Sequence, residues 1–346
     1  LSNQHQNDFY RWIQRCLPEV ISLAGELHAE PLTGDAGFRR YYRLNTQPSL
    51  IAVDSPPSKE KNLEYVNISM ALQAHGLRTP VIYAVDFSQG FMLLEDFGDQ
   101  LLQPLLNSHS VTALYTQAEA RLLDIQQLPA STDIFPHYDA EQLQAEMLLF
   151  NQWFVTKLLG LNLEQQEIEL LDSLYQQLIL SAQQQPQVPV HRDYHSRNLM
   201  LLNDGELGII DFQDAVQGPI TYDLVSLLKD CYVRWPAPQM RERAINFKHQ
   251  AQRLNQQLDV SDQQFIRWFD FMGLQRHIKV MGIFARLALR DGKEAYLRDL
   301  PLVIHYSLEA AGQYSECHAF YSWFQQRISP LLSAQDWYQP LRDETL

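Results

Sequence analysis

His191-Arg192-Asp193-Tyr194-His195-Ser196-Arg197-Asn198 has the form HxDxxxxN, and the short apolar run Ile209-Ile210-Asp211-Phe212 delivers an aspartate thirteen residues after Asn198. Asp and Asn are ordinary turn formers, and either half alone could be no more than that. Together, and in this order, they match what phosphoryl transfer asks of a protein. It needs a carboxylate that orients the attacking hydroxyl and takes its proton, and hard oxygen donors that hold Mg2+ against a triphosphate. Asp193 is the candidate catalytic base, and Asn198 and Asp211 are the candidate metal ligands. The gap between Asp193 and Asn198 sets base and metal ligand at opposite ends of one tight loop.

Upstream of this stretch the chain reads as strand-rich. Three short runs, Ala29–Thr33, Arg39–Leu44 and Ser49–Val53, are broken by Gly34–Gly37 and Asn45–Pro48. A helix is expected from about Ser58 to His75, closed by Gly76. Strands Val81–Asp86 and Phe91–Glu95 follow, with a turn at Ser88-Gln89-Gly90. Beyond Gly98 the pattern turns helical. Asp139 with Gln142 and Ser261 with Gln264 have the spacing of capping boxes, predicting helices that run to about Gly160 and Gly292. Further helical periodicity covers roughly 110–127, 164–184, 221–233, 237–257 and 295–313, and extended segments such as Gly208–Asp211 flank the polar loop. The expected class is α+β: a small antiparallel sheet lobe, residues 1–97, and a larger, mainly helical lobe, residues 98–346, with a hinge near 95–99.

Composition narrows the alternatives. With 46% hydrophobic and 20% charged residues, the chain is neither disordered nor fibrous. Three dispersed cysteines form no CxxC pair or zinc-spaced cluster, so a disulfide framework and a structural zinc are unsupported and a reducing compartment, the cytoplasm, is expected. No basic-then-apolar leader opens the sequence, and the long apolar stretch Phe269–Leu289 is interrupted by Arg276, His277, Lys279 and Arg286, against a membrane span. A formal charge of −14 argues against nucleic acid as a partner. No protein partner is predicted.

The catalytic stretch resembles the corresponding loops of the protein-kinase-like superfamily, implying a bilobal fold. His195, two residues after the Asp, stands where Ser/Thr protein kinases usually have Lys, so the stretch is instead similar to aminoglycoside phosphotransferases and choline kinases. Asp211-Phe212-Gln213-Asp214 is not DFG and no APE-type segment follows, so no phosphorylation-controlled activation loop is expected. The resemblance extends through Gly34–Leu44, Val53–Pro57, Leu93–Gly98, Gly218–Leu224 and Gln275–Leu287. These blocks are similar to those of bacterial N-acetylmuramate/N-acetylglucosamine anomeric kinases of peptidoglycan recycling. The resemblance implies ATP-dependent phosphorylation of a sugar C1 hydroxyl, with Asp193 as base and Asn198 and Asp211 on Mg2+. It also implies that Asp223 braces the catalytic-loop backbone. Alternatives of the same fold are an aminoglycoside, choline or homoserine-type kinase; a non-catalytic nucleotide- or sugar-binding module is a further one.

On the same resemblance, Gly34, Asp35, Ala36, Gly37 and Phe38 form a phosphate-covering turn, and Glu95, Asp96 and Phe97 fall at the adenine hinge. A hairpin turn is an equally good reading of Gly34–Gly37. Kinases of this kind usually carry a Lys on the third strand, but Leu50-Ile51-Ala52-Val53-Asp54 has none. Arg40 is the candidate substitute, with Arg39, Arg43, Lys59 and Lys61 as alternatives. Candidate acceptor contacts are Gln213, Asp214, Arg276, Lys279 and Trp153. Arg276, His277 and Lys279 could form a cationic wall that meets a substrate carboxylate, or make buried ion pairs, and Trp153 could stack on a sugar or fill the core. His191 and His195 are expected to brace the loop rather than act as catalysts.

Overall fold

The computed structural model describes residues 3–32, 37–254 and 258–341, so Gly34, Asp35 and Ala36 of the expected phosphate turn lie outside the described residues. The chain divides into two compact units: one is formed by 1–105 and 197–215, the other by 106–196 and 216–346.

In the first unit, strands Ala29–Pro31, Arg40–Leu44, Leu50–Asp54, Phe91–Glu95 and Ile82–Asp86 form an antiparallel sheet in that spatial order. Successive side chains of a strand point to opposite faces. Leu50 and Ala52 join one apolar cluster with Ala29, Leu44, Phe91 and Leu93, while Ile51 and Val53, facing the other way, are buried too. The first face is covered by helix Asn3–Cys16 through Phe9, Trp12 and Ile13, an i, i+3, i+4 pattern that the strand-centred reading passed over. Helix Asn62–Ala74 follows the third strand, starting four residues later than expected, and buries Tyr65, Ile68 and Leu72. A two-stranded pair, Leu199–Leu201 with Leu207–Ile209, completes the unit.

At Gly208 an added Cβ would stand 2.5 Å from the Phe97 ring, so the ring lies directly on the strand backbone that leads to Asp211. Tyr65 stacks on Phe212 at 4.8 Å, holding the residue after that aspartate from the helix side.

The second unit is built around helix Asp262–Asp291. Ser261 caps it by accepting from Gln264 N at 3.1 Å, and Gly292 ends it at φ 69°. From Phe265 to Gly282 every residue but Arg267 is buried, so this is a core helix whose charged residues need internal partners. Among the described residues no helix is long and apolar enough to cross a membrane. Helix Ala140–Leu149, capped by Asp139 as expected, continues as π-helical turns over Phe150–Leu158. At this junction a Cβ on Gly282 would overlap Leu149 C and sit 2.5 Å from Phe150 N. The missing side chain thus lets the two helices meet backbone to backbone. Glu146 and Lys279 lie about one turn before the two contact points, so the close crossing brings them together.

Candidate active site

In the second unit, strand Gln187–Val190 pairs with Val216–Pro219 and releases the catalytic loop at His191. Asp223, fully buried in helix Tyr222–Leu228, accepts the backbone N–H of His191 at 2.6 Å and of Arg192 at 2.9 Å. Arg192 needs that clamp, because its φ of 74° lies in the left-handed region that non-glycine residues enter at a cost. Two residues beyond the helix, Asp230 accepts Ser196 N at 3.0 Å and Ser196 Oγ at 2.5 Å. Both anchors of the loop are therefore buried carboxylates, one in the first turn of a short helix and one just past its end. Burial pushes the Asp223 carboxyl up to about 6.

Between these anchors Asp193 keeps 47% of its side chain exposed, which leaves its carboxylate accessible to a reactant. Arg276 lies 4.0 Å from its Oδ1. Burial pushes Asp193 up, but the charges of Lys279, Arg276 and Arg192 more than offset it and leave the group at about 2. Asp193 therefore stays ionised at neutral pH. His195 packs edge-on to Tyr232, and burial lowers its pKa, so it is a neutral support for the loop. His191 Nδ1 accepts from Asp193 N at 3.3 Å.

Around Asp193 the structure assembles residues that the linear motif did not reveal. Glu146 pairs with Arg192, accepts from Tyr138 OH, and lies 3.2 Å from Lys279 Nζ, which also donates to Tyr222 OH at 3.0 Å. The Arg192 guanidinium also stands 5.1 Å over the Tyr138 ring. Lys279 and Arg192 thus share one carboxylate, and burial's upward push on Glu146 is outweighed by these two cations. Arg276 donates to Cys231 Sγ at 3.3 Å. His277 bonds Lys229 O through Nε2, and burial, with Arg276 nearby, lowers it to about 3, so it is not part of a cationic wall. Trp153, in the π-helical stretch, is half-buried, and the Lys157 ammonium is 3.5 Å from its ring centroid. One ring face is thereby taken by a cation rather than left for stacking.

The first unit holds the other half of the motif. Ile210 N donates to Asn198 O at 3.1 Å, tying the segment of one candidate ligand to the residue before the other. Asp211 is exposed at φ 63°, and Gln213 Nε2 donates to its Oδ1 at 2.7 Å. Asp214 pairs with Lys61 at 2.7 Å. An amide oxygen and an exposed carboxylate on adjoined segments are hard donors with room for water and phosphate oxygens, so the set fits Mg2+. No group of three or more His, Cys, Asp or Glu side chains suited to a metal occurs among the described residues.

Among the nucleotide candidates, Gly37 adopts φ 141° and Phe38 N donates to Glu60 Oε1 at 2.7 Å. Phe38 is exposed, with Lys59 over its ring. Asp96 accepts from Arg43, Ser49 and Gly98 N, and Glu95 from Arg78 and Val81 N, so both carboxylates are occupied by protein groups. Arg43 is spent on Asp96 and Asp99, while Arg40 is half-exposed and only 4.0 Å from Asp54. Arg39 is buried beside Ser55, Glu60 and the Tyr65 ring.

A five-stranded antiparallel sheet unit, a helical unit and an HxDxxxxN loop with a downstream aspartate define a phosphotransferase of the protein-kinase-like class. The chain belongs to the phosphotransferase enzyme family, whose profile matches residues 28–257. It is 38% identical over 306 residues to the N-acetylmuramate/N-acetylglucosamine kinase of Pseudomonas aeruginosa, covering 87% of this chain and 90% of that one. The protein of that name from Neisseria meningitidis is 34% identical over 325 residues, with 92% and 95% covered. In fold the chain is similar to an ADP-bound aminoglycoside phosphotransferase, with a TM-score of 0.58, 13% identity, and 90% and 99% of the chains covered. A Plasmodium vivax ethanolamine kinase gives a TM-score of 0.59 at 12% identity, with 81% and 82% covered.

Proposed function

We propose that this chain is a cytoplasmic, ATP- and Mg2+-dependent sugar kinase. Its acceptor is the anomeric C1 hydroxyl of N-acetylmuramate, N-acetylglucosamine or both, and its product a sugar 1-phosphate for cell-wall recycling. The observation that carries the reading is similarity along most of the chain to relatives bearing that name, at 38% and 34% identity. A half-exposed, ionised Asp193 in a loop braced at both ends supports it. The division of labour, with the nucleotide on 1–97 and catalysis and acceptor binding on 98–346, belongs to the same proposal.

In this reading Asp193 accepts a hydrogen bond from the C1 hydroxyl and aims the oxygen at the terminal phosphorus. A carboxyl near 2 is a weak base, so the proton moves to Asp193 late, after the new P–O bond is well advanced and the sugar oxygen has become acidic. An anomeric hydroxyl, more acidic than an ordinary alcohol, suits such a base. Asp223 and Asp230 keep the loop from shifting while Asp193 works. Asn198 and Asp211 would hold Mg2+, which when bound screens the charge of the triphosphate. Gln213 keeps the Asp211 carboxylate oriented. Glycine-rich residues 34–38 and the backbone of 95–97 are assigned to the nucleotide, and Gln213 and Asp214 to the acceptor side.

The test is ADP release with N-acetylmuramate, N-acetylglucosamine, kanamycin and choline, with the phosphorylated position assigned by phosphorus NMR. The expected result is turnover of one or both sugars at C1, reduced about 100-fold or more in Asp193→Asn. Phosphorylation of kanamycin or choline with neither sugar used would overturn it. Arg276 and Lys279 near Asp193 disfavour such cationic acceptors.

A further inference from the structure

Three cations surround Asp193, but they are not equally engaged. Arg192 and Lys279 share the Glu146 carboxylate, and Lys279 also donates to Tyr222 OH. Arg276 has no comparable partner. Among the described residues its one hydrogen bond is to the Cys231 thiol, a weak acceptor whose pKa burial pushes up to about 11, so it remains uncharged. Asp193 stands at 4.0 Å, beyond hydrogen-bond reach. Arg276 Nε has no hydrogen-bond partner among the described residues, although the residue is only 2% exposed. A buried guanidinium with an empty donor is costly, and replacing it by an apolar residue would relieve that cost. Such a group next to the catalytic carboxylate has the character of a site awaiting an acceptor.

The relatives' name joins two acceptors that differ in charge. N-acetylmuramate is N-acetylglucosamine with a lactyl ether at C3, which adds one carboxylate two ring positions from the reacting C1. We infer that Arg276 is the specificity-determining residue that receives this carboxylate, so that Asp193 addresses the hydroxyl common to both sugars and Arg276 reads the group that separates them. The inference rests on the acceptor assignment above. It separates the roles of Arg276 and Lys279, which share a helix face. Lys279 is an internal counter-ion of Glu146, and Arg276 faces the ligand.

The experiment is a cycle on full-length protein: wild type, Arg276→Gln and Arg276→Lys, each assayed with N-acetylmuramate, its neutral methyl ester and N-acetylglucosamine. Removing a cation beside Asp193 lowers turnover of all three. Beyond that common loss, the ratio of kcat/KM for N-acetylmuramate over N-acetylglucosamine should fall about tenfold or more in Arg276→Gln, mainly through KM. Arg276→Lys should restore part of the ratio. On wild type the ester should lose what the acid loses in the variant beyond the common loss, and the substitution should cost the ester no more than it costs N-acetylglucosamine. The ester comparison on wild type needs no folded variant. A ratio unchanged within about twofold, or an ester as good as the acid on wild type, overturns the inference while leaving the kinase reading standing. Wild type that uses neither sugar overturns both.

Discussion

Asp223 accepts the backbone N–H groups of both His191 and Arg192 with its two carboxylate oxygens, at 2.6 and 2.9 Å, and so fixes a left-handed arginine immediately before Asp193, the proposed base. Asp223→Asn retains one acceptor and turns the other into a donor facing an N–H. A stability loss of about 1.5–3 kcal/mol is expected. Because Asp193 loses its fixed position, kcat should fall about 100-fold, with KM for ATP little changed. The pH dependence has a defined sign. Burial raises Asp223 to about 6, against about 3.9 in an unfolded chain. Between those values the folded chain retains a proton that the unfolded chain releases. The stability supplied through Asp223 is therefore greatest below about pH 4 and declines as pH rises towards about 6. Urea unfolding of wild type and Asp223→Asn at pH 4.5 and 6.5 should show the difference between them narrowing at the higher pH; a constant difference would refute the raised carboxyl.

Glu146 is the common counter-ion of Arg192 and Lys279. Glu146→Gln keeps the shape and removes the charge, leaving two buried cations facing each other. The cost should be about 3–5 kcal/mol, the scale seen when one member of a buried pair is removed. Chemical denaturation measures it, and a loss under about 1 kcal/mol would mean that the network is solvent-screened.

Gly282→Ala sets two effects against each other. Helix propensity favours alanine by about 1 kcal/mol. The new Cβ, however, would meet the backbone of Leu149 and Phe150, which cannot turn aside as a side chain can. Overlap should win, destabilising the protein by about 1–3 kcal/mol. Gly312→Ala is the control, since its nearest neighbour is the Tyr321 ring at 3.4 Å. A thermal melt in which Gly282→Ala equals or exceeds wild type would show that the two helices can separate without penalty.

Several features were legible along the chain because their signals are local. The five sheet strands fall within two residues of the runs read from apolar alternation and Gly or Pro breaks. Ser261 and Asp139 cap their helices at the expected positions, since a capping box spans only four residues. The end of the Asp139 helix near Gly160 was legible, since helical winding runs to Leu158 and Gly160 follows at φ 70°, but the change of winding within it was not. The sequence suggested one helix to Gly160, but the chain passes into π-helical turns at Phe150, where the Gly282 backbone presses against it. Helix Tyr222–Leu228 is shorter than the expected 221–233, because Asp230 turns away to hold Ser196.

Residue order alone sets the chemistry-bearing motif, the order of the sheet strands, and the place of Asp193, Asn198 and Asp211 in the chain. Each of those depends on residues only a few positions apart. What stands around Asp193 is set by packing between distant segments. Glu146 is 46 residues from Arg192 and 133 from Lys279, and Arg276 lies 83 residues beyond the carboxylate it flanks. Such pairings leave no mark in local periodicity, because they are set by how closely two buried helices approach. Sequence alone left Arg276 and Lys279 as equivalent cations on one helix face. Packing separated them, giving Lys279 an internal carboxylate and leaving Arg276 with a donor unfilled.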